Sequence, residues 1–230
     1  MNKTHNFIDS LHHLIKEEYQ KKDRKLKVFC DWDEVIQPLE PKVYYEYHKE
    51  QELFKNYFRN FWKQIAKTKR IITFSSYGSH AVSRDENLTK IKNDVDFYNK
   101  APFLTIAKEL LLALEDNLIE LTFLSAYNQD VFPNGDERKA KKAKKIFGQF
   151  PQVKVDLTPF SSHEPIFLKW QILKNRYPDF DIFIDDNPNI ITETQRNLPL
   201  DKIFVLPDYE YNKTVRYDNV FRLKSFVIKI

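Results

Sequence analysis

Residues 25–34 read KLKVFCDWDE, and this stretch decides the fold class. Residues 25–30 form a predicted strand whose apolar run stops abruptly at Asp31 and Asp33. An apolar run that ends in acids is typical of a buried parallel strand, which delivers its polar groups to its carboxyl end. Side chains two residues apart in an extended segment leave the same side of the chain, so both carboxylates can serve one site.

A second stretch, residues 181–188, reads DIFIDDNP and repeats this plan with Asp185 and Asp186 after an apolar strand. Hard carboxylate oxygens from two such strands, completed by water and a substrate phosphate, suit Mg²⁺ far better than zinc. Crowded carboxylates repel each other unless a cation is present, which favours a metal site over solvated turn acids. Two further pairs of acids, in 94–96 and 179–181, do not end a clear apolar strand at a suitable place.

Helical and strand patterns alternate along the chain on both sides of these stretches. The alternation predicts an α/β fold with a doubly wound, Rossmann-like parallel sheet and helices on both faces. We expect an N-terminal helix at 1–22, a catalytic core made of 23–37 and 103–230, and an inserted, mainly helical cap at 38–102. Residues 207–230, which end in the apolar stretch 220–230, have no assigned role.

Composition and charge limit the class of protein. The only cysteine is Cys30, which excludes an internal disulfide and a cysteine-based zinc cluster. No stretch approaches about 18 consecutive apolar residues, and no signal-peptide pattern is present, so we expect a soluble, cytoplasmic protein with no membrane partner. A net charge of +4 is mild and does not indicate nucleic acid as a partner.

The acidic motifs resemble those of the haloacid dehalogenase-like phosphatase superfamily. Its first motif, an apolar strand followed by Asp-x-Asp-x-(Thr/Val), is matched by residues 31–35, and its fourth motif, an apolar strand ending in two acids, by residues 182–186. The second motif, a strand ending in Ser or Thr, is matched at 121–125 and ends in Ser125, with 72–76 as the competing match. The third motif, a lysine on the helix before the second acidic strand, is matched by Lys169, with Lys174 as the alternative.

The resemblance implies a mechanism and a set of site residues. Asp31 would attack phosphorus to form an aspartyl-phosphate, and Asp33 would act as acid and then as base. Ser125 and Lys169 would hold the phosphoryl group. Mg²⁺ would be bound by the Asp31 carboxylate, the Asp33 backbone carbonyl and Asp186, with Asp185 as a nearby or water-mediated ligand. These roles predict a phosphoric monoester hydrolase.

The substrate and several side chains stay open at this level. A nucleotide or other small phosphomonoester is the first interpretation, and a phosphoprotein, for instance one carrying phosphotyrosine, is the second. Glu34 replaces the glycine common after the second aspartate in small-molecule members of the superfamily. The basic helix near 136–147 is interpreted as a solvated face, and a non-catalytic protein that docks a partner through it is the third possibility. Trp32 could stack on a substrate or pack behind its strand.

Overall fold

The computed structural model describes residues 6–37, 103–128, 137–160, 169–199, 201–209, 212–213, 215 and 217–228. Its main sheet contains β1 (Asn6–Ile8), β2 (Leu26–Cys30), β4 (Ile119–Asn128), β5 (Val153–Phe160), β6 (Ile182–Ile184), β7 (Ile203–Pro207) and β8 (Val220–Leu223). A small antiparallel pair joins β3 (Phe103–Leu104) to β9 (Val227–Ile228). The described helices are α1 (Leu11–Lys22), α2 (Thr105–Glu115), α3 (Glu137–Phe147), α4 (Lys169–Arg176) and α5 (Pro188–Asn197).

The main sheet is parallel throughout, with the strand order β1-β8-β7-β6-β2-β4-β5. From β2 the chain runs outward through β4 to β5, and then returns to β6 on the other side of β2. The sheet is therefore doubly wound, which confirms the predicted fold class. The carboxyl end of β2 lies at the point where the direction of winding reverses, and ligands bind at such points in open α/β sheets.

Helices cover both faces of this sheet. Val28 and Cys30 of β2 pack in one hydrophobic cluster with residues from α1, α2 and α3. Phe29, between them in sequence, packs in a second cluster with Leu173 of α4 and Ile191 of α5. Because successive side chains of a strand point to opposite faces, the apolar run of β2 fills two cores at once.

The N-terminal helix is shorter than the sequence predicts. It begins at Leu11, where the Ser10 side chain accepts a hydrogen bond from the His13 backbone, and residues 6–8 instead form the strand β1. β1 pairs in parallel with β8, which comes from the unassigned ending of the chain. The edge of the main sheet is thus built from two segments far apart in sequence.

Some predictions lie outside the described residues. These are the cap at 38–102 and, within it, the competing strand at 72–76. Among the described helices, none combines the length and the apolar character that crossing a bilayer requires.

Candidate active site

Two adjacent strands bring the acidic motifs together. β2 and β6 pair in parallel with Cys30 opposite Ile184, and the Asp31 N–H donates to the Ile184 carbonyl at 2.8 Å. The residues that follow these strands are Asp31 on one and Asp185 and Asp186 on the other. Their carboxylates each offer an oxygen, and the three oxygens lie within 4.8 Å of one another. Two segments some 150 residues apart therefore form a single acidic cluster, as the strand pattern predicts.

One lysine lies inside this cluster. Lys169, the first residue of α4, has its Nζ 3.0 Å from Oδ2 of Asp31 and 2.5 Å from Oδ2 of Asp185. Its side chain is buried, as is that of Asp185. The helix thus brings Lys169 to the acidic cluster, whereas the alternative, Lys174, lies exposed on the same helix.

Burial and neighbouring charges oppose each other in setting the pKa values of Lys169 and Asp185. Burial would lower the pKa of Lys169, but Asp185 and Asp31 outweigh it and raise that pKa, so the ammonium stays charged. Burial chiefly raises the pKa of Asp185 to about 6, opposed by Lys169 and reinforced by the charge of Asp31. Within the described chain, one ammonium therefore faces the two carboxylates of Asp31 and Asp185, so these three groups carry an excess of negative charge in a largely buried place.

One oxygen of Asp31 has no hydrogen-bond partner among the described residues. Its Oδ2 faces Lys169, but its Oδ1 is buried and accepts no hydrogen bond from the described part of the chain. Buried carboxylate oxygens are almost always paired, so such an atom requires an explanation. A divalent cation held by Asp31, Asp185 and Asp186 would satisfy this oxygen and offset the excess charge, and the all-oxygen donor set fits Mg²⁺.

The carboxylate of Asp33 lies outside this cluster and faces a different lysine. Oδ2 of Asp33 accepts a hydrogen bond at 2.9 Å from Nζ of Lys139, the third residue of α3. The same Nζ donates to Oγ of Ser125 at 3.0 Å and to the carbonyl of Ala126 at 2.9 Å. The structure therefore joins Asp33 and Ser125 through a buried ammonium.

Lys139 is a site residue that the sequence interpretation missed. The basic run of α3 was predicted to be a solvated face, yet Lys139 and Lys142 are buried. A usable signal exists in the spacing, because Lys139 lies four residues before Ala143 and eight before Phe147, and both of these are buried. Lys139 thus continues the inward stripe of the helix toward the carboxyl end of β4.

The loop after β2 is held by its own side chains. Trp32 is buried, packs edge to face on Phe123 at 5.0 Å between ring centroids, and donates through Nε1 to the side chain of Gln37. Trp32 therefore packs behind the strand rather than facing a substrate. Glu34 has φ of 60°, the left-handed conformation that glycine adopts most readily, although it is not a glycine.

Residues after β7 donate hydrogen bonds to the backbone of the loops that follow β2 and β6. The hydroxyl of Tyr209 donates to the Glu34 carbonyl at 3.0 Å, and Nδ2 of Asn212 donates to the Asp186 carbonyl at 3.1 Å. Buried Arg222 of β8 donates to the side-chain oxygen of Asn212 at 2.6 Å. The tail of the chain, which had no predicted role, thus fixes the backbone of the site, and no local sequence pattern announces these contacts.

Fold and site together define a doubly wound α/β protein with a carboxylate cluster and two buried lysines where the winding of its sheet reverses. No protein-family model matches the chain, and no curated protein matches it. A crystal structure from Burkholderia xenovorans LB400, described as a proposed haloacid dehalogenase-like hydrolase, is similar at 14% identity and a TM-score of 0.41. The match covers 86% of this chain and 94% of that one. The function of this chain is therefore argued from its own residues.

Proposed function

We propose that this protein is a magnesium-dependent phosphomonoester hydrolase that works through an aspartyl-phosphate on Asp31. The observation that carries the proposal is the buried Oδ1 of Asp31, which lacks a hydrogen-bond partner in the described chain while Lys169 holds Oδ2. Leaving a buried acceptor unpaired costs about 1–3 kcal/mol. A purely structural aspartate gains nothing from that cost, whereas an attacking or metal-binding oxygen must be available.

The chain's own groups divide the chemistry between them. A carboxylate oxygen of Asp31 bonds to phosphorus as the ester oxygen leaves with its electron pair, and Asp33 gives that oxygen a proton. Asp33, now a carboxylate, then takes a proton from the water that hydrolyses the aspartyl-phosphate. Lys169 and Ser125 bind the phosphoryl oxygens by charge and by hydrogen bonding. The superfamily resemblance supplies these roles, and the short distances among the residues support them.

Mg²⁺ fits the donor set. Asp31, Asp185 and Asp186 would hold it, with the backbone carbonyl of Asp33 as the ligand that the resemblance adds. When bound, Mg²⁺ would neutralise the negative charge that develops on the phosphoryl oxygens during transfer. The raised pKa of Asp185 and the excess of carboxylate over ammonium are the local reasons to expect a cation there.

The test is hydrolysis of p-nitrophenyl phosphate with Mg²⁺ and with EDTA. Asp31→Asn should lower kcat on the order of 10⁴-fold or more, because removing a nucleophile has effects of that size. Asp179→Asn is the matched control, since it makes the same chemical change at a largely exposed aspartate, which pairs with Lys27 before β6. Equal rates for the wild type and Asp31→Asn, or full activity in EDTA, would contradict the proposal.

The substrate is proposed at the level of chemistry. A nucleotide or other small phosphomonoester is the first choice, since residues 212–216 loosely resemble the deoxyribonucleotidase branch of the superfamily. A phosphoprotein is the alternative, because Glu34 departs from the small-molecule motif. A panel of nucleotides, sugar phosphates and phosphopeptides, ranked by kcat/KM, separates the two.

The burial of two lysines in α3 weakens the third possibility, that of a non-catalytic protein that docks a partner through this basic helix. Lys139 and Lys142 of α3 are buried, so these two cations are not offered to a partner's surface. Burial, helped by the nearby charge of Lys145, lowers the pKa of Lys142 to about 8, so this buried ammonium loses its proton more readily than an exposed lysine does. A docking role predicts that charge reversal at exposed Lys141 and Lys144 abolishes capture of an acidic peptide, and the hydrolase proposal predicts no effect on turnover.

A further inference from the structure

Lys139 is the least expected buried charge near the site. Its side chain keeps only 5% of its accessible surface, and its ammonium makes three hydrogen bonds, to Asp33, Ser125 and the Ala126 carbonyl. Three donors are the full capacity of a lysine ammonium. The group is therefore fixed in direction, not merely in position.

Packing does not explain a charge in this place. Burying an ammonium costs several kcal/mol before its partners repay it, and an apolar side chain of the same volume often serves a core equally well. The neighbouring Lys141 follows the ordinary pattern, because it is 78% exposed and pairs with Glu137 along the helix. Lys139 differs because two of its three acceptors, the side chains of Asp33 and Ser125, take part in the proposed mechanism.

The direction of these hydrogen bonds has chemical consequences. Because Oγ of Ser125 accepts a hydrogen bond from Lys139, the hydroxyl keeps its own hydrogen to donate toward a phosphoryl oxygen. Because Oδ2 of Asp33 accepts from the same ammonium, the Asp33 carboxylate cannot rotate freely about its Cβ–Cγ bond. Asp33 is still 31% exposed, so water can reach it. One ammonium thus orients a phosphate donor and a proton acceptor together.

We propose that Lys139 is a positioning residue that orients Asp33 to activate the hydrolytic water. This inference rests on the proposed function. In the first step, the Asp31 oxygen–phosphorus bond forms and the ester bond breaks, and the electron pair leaves on the ester oxygen. In the second step, the water oxygen bonds to phosphorus, the Asp31–phosphorus bond breaks, its electron pair returns to the Asp31 carboxylate, and the water proton passes to Asp33.

A substrate with a good leaving group separates the two steps. p-Nitrophenolate leaves as a stable anion and needs no proton, so the first step does not depend on Asp33. Only the second step then requires an oriented Asp33. Loss of Lys139 should therefore slow hydrolysis of the aspartyl-phosphate more than its formation, and the covalent intermediate should accumulate.

The experiment is stopped-flow release of p-nitrophenolate by the wild type, Lys139→Met and Lys141→Met. Methionine keeps the apolar stem and removes the donors. We expect Lys139→Met to release a burst of about one product per protein molecule and then turn over about 10–100-fold more slowly, with a lowered KM. Lys141→Met, on the exposed face of the same helix, should match the wild type.

A second variant and the melting temperature protect the result against misfolding. Lys139→Gln retains a donor of shorter reach and should give a burst with a smaller loss of turnover, and it carries the test alone where Lys139→Met does not fold. A proportional loss of both phases without a burst, or a raised KM at unchanged kcat, would overturn the inference while leaving the hydrolase proposal intact. A wild type as inactive as Asp31→Asn would instead overturn both.

Discussion

The two ends of β6 both carry buried aspartates, but their surroundings are opposite. At the amino end, Asp181 receives two hydrogen bonds from Arg24, at 2.8 Å each, one from Lys22 at 2.6 Å and one from the Lys27 backbone at 2.8 Å. Two cations and a backbone donor thus serve a single carboxylate. At the carboxyl end, Lys169 contacts Asp31 and Asp185, two of the three clustered carboxylates, and Oδ1 of Asp31 accepts no hydrogen bond within the described chain.

The pKa shifts follow from this contrast. Burial alone would raise the pKa of Asp181, but the hydrogen bonds from Arg24 and Lys22 overcome it and lower that pKa. At the other end burial prevails and raises the pKa of Asp185. The lesson is that a buried aspartate signals function when its charge is under-compensated, and signals architecture when its charge is matched.

The largest effect should come from removing the only described cation in the carboxylate cluster. Lys169→Met should lower the free energy of unfolding by about 3–5 kcal/mol in metal-free buffer, because it leaves buried carboxylates without their partner. Urea unfolding in EDTA measures this. Lys174→Met, an exposed position on the same helix, should stay within about 0.5 kcal/mol of the wild type. A small loss at Lys169 would mean that the cluster is better hydrated than its burial indicates.

Adding a divalent cation should stabilise the carboxyl end of β6, where the preceding prediction removes a cation. Mg²⁺ at a hundredfold excess over its Kd should stabilise the wild type by about 2.7 kcal/mol, since it binds the folded state alone. Asp186→Asn should remove most of this gain, because it deletes one of three carboxylate ligands. A thermal melt with and without Mg²⁺ measures the shift and requires no substrate.

The control for this prediction lies at the opposite end of the strand. Asp181→Asn makes the same chemical change to a buried aspartate but leaves the cluster untouched, so it should keep the full Mg²⁺ shift from a lower starting melting temperature. If Asp186→Asn also kept the shift, the ion would bind elsewhere.

The smallest effect concerns the pH dependence of the amino end. Asp181→Asn should cost about 2 kcal/mol near neutral pH, since hydrogen bonds to a charged group are worth about 1.5–3 kcal/mol. The pKa of Asp181 is lowered in the folded state, so the unfolded state binds the proton more readily. The contribution is therefore complete above the ordinary pKa of 3.8 and is lost as the pH falls toward the lower folded value.

Urea titrations from pH 7 down to about pH 2 measure this difference. The stability gap between the wild type and Asp181→Asn should narrow as the pH falls through that window. A gap that widened toward acid would mean that the folded state raises the pKa of Asp181, contrary to the prediction.

The sequence predicts the features that depend on local patterns, and it misses most of those that depend on contacts between residues far apart in the chain. The strands β2 and β6 and the meeting of their acids follow from local apolar runs and from the rule that parallel strands share a carboxyl edge. Lys169 follows from its motif. The domain division with its cap at 38–102 remains a prediction, because those residues lie outside the described ones.

Most of the features that the sequence did not predict depend on contacts between residues far apart in the chain. β1 has only three residues, with Phe7 half exposed, so it carries no periodicity of its own and exists through its pairing with β8. Asn212 and Tyr209 act through backbone carbonyls of distant loops, which leaves no mark in a local pattern. Lys139 was hidden for another reason, since a lysine in a basic run is ordinarily at the surface and only its phase on the helix reveals otherwise.

The pairing of β1 with β8 sets an order of assembly. Asn6 lies beside Phe221, and Ile8 beside Leu223, so among the described residues β1 gains its partner strand only once 220–223 have been synthesised. During translation the pairing of β1 with β8 is therefore delayed until more than 200 further residues have been added, because contacts between such distant segments form late. The same 220–223 segment carries Arg222, which braces Asn212 beneath Asp186. A ribosome-bound chain that stops short of β8 should therefore lack both this edge of the sheet and the brace beneath its acidic cluster.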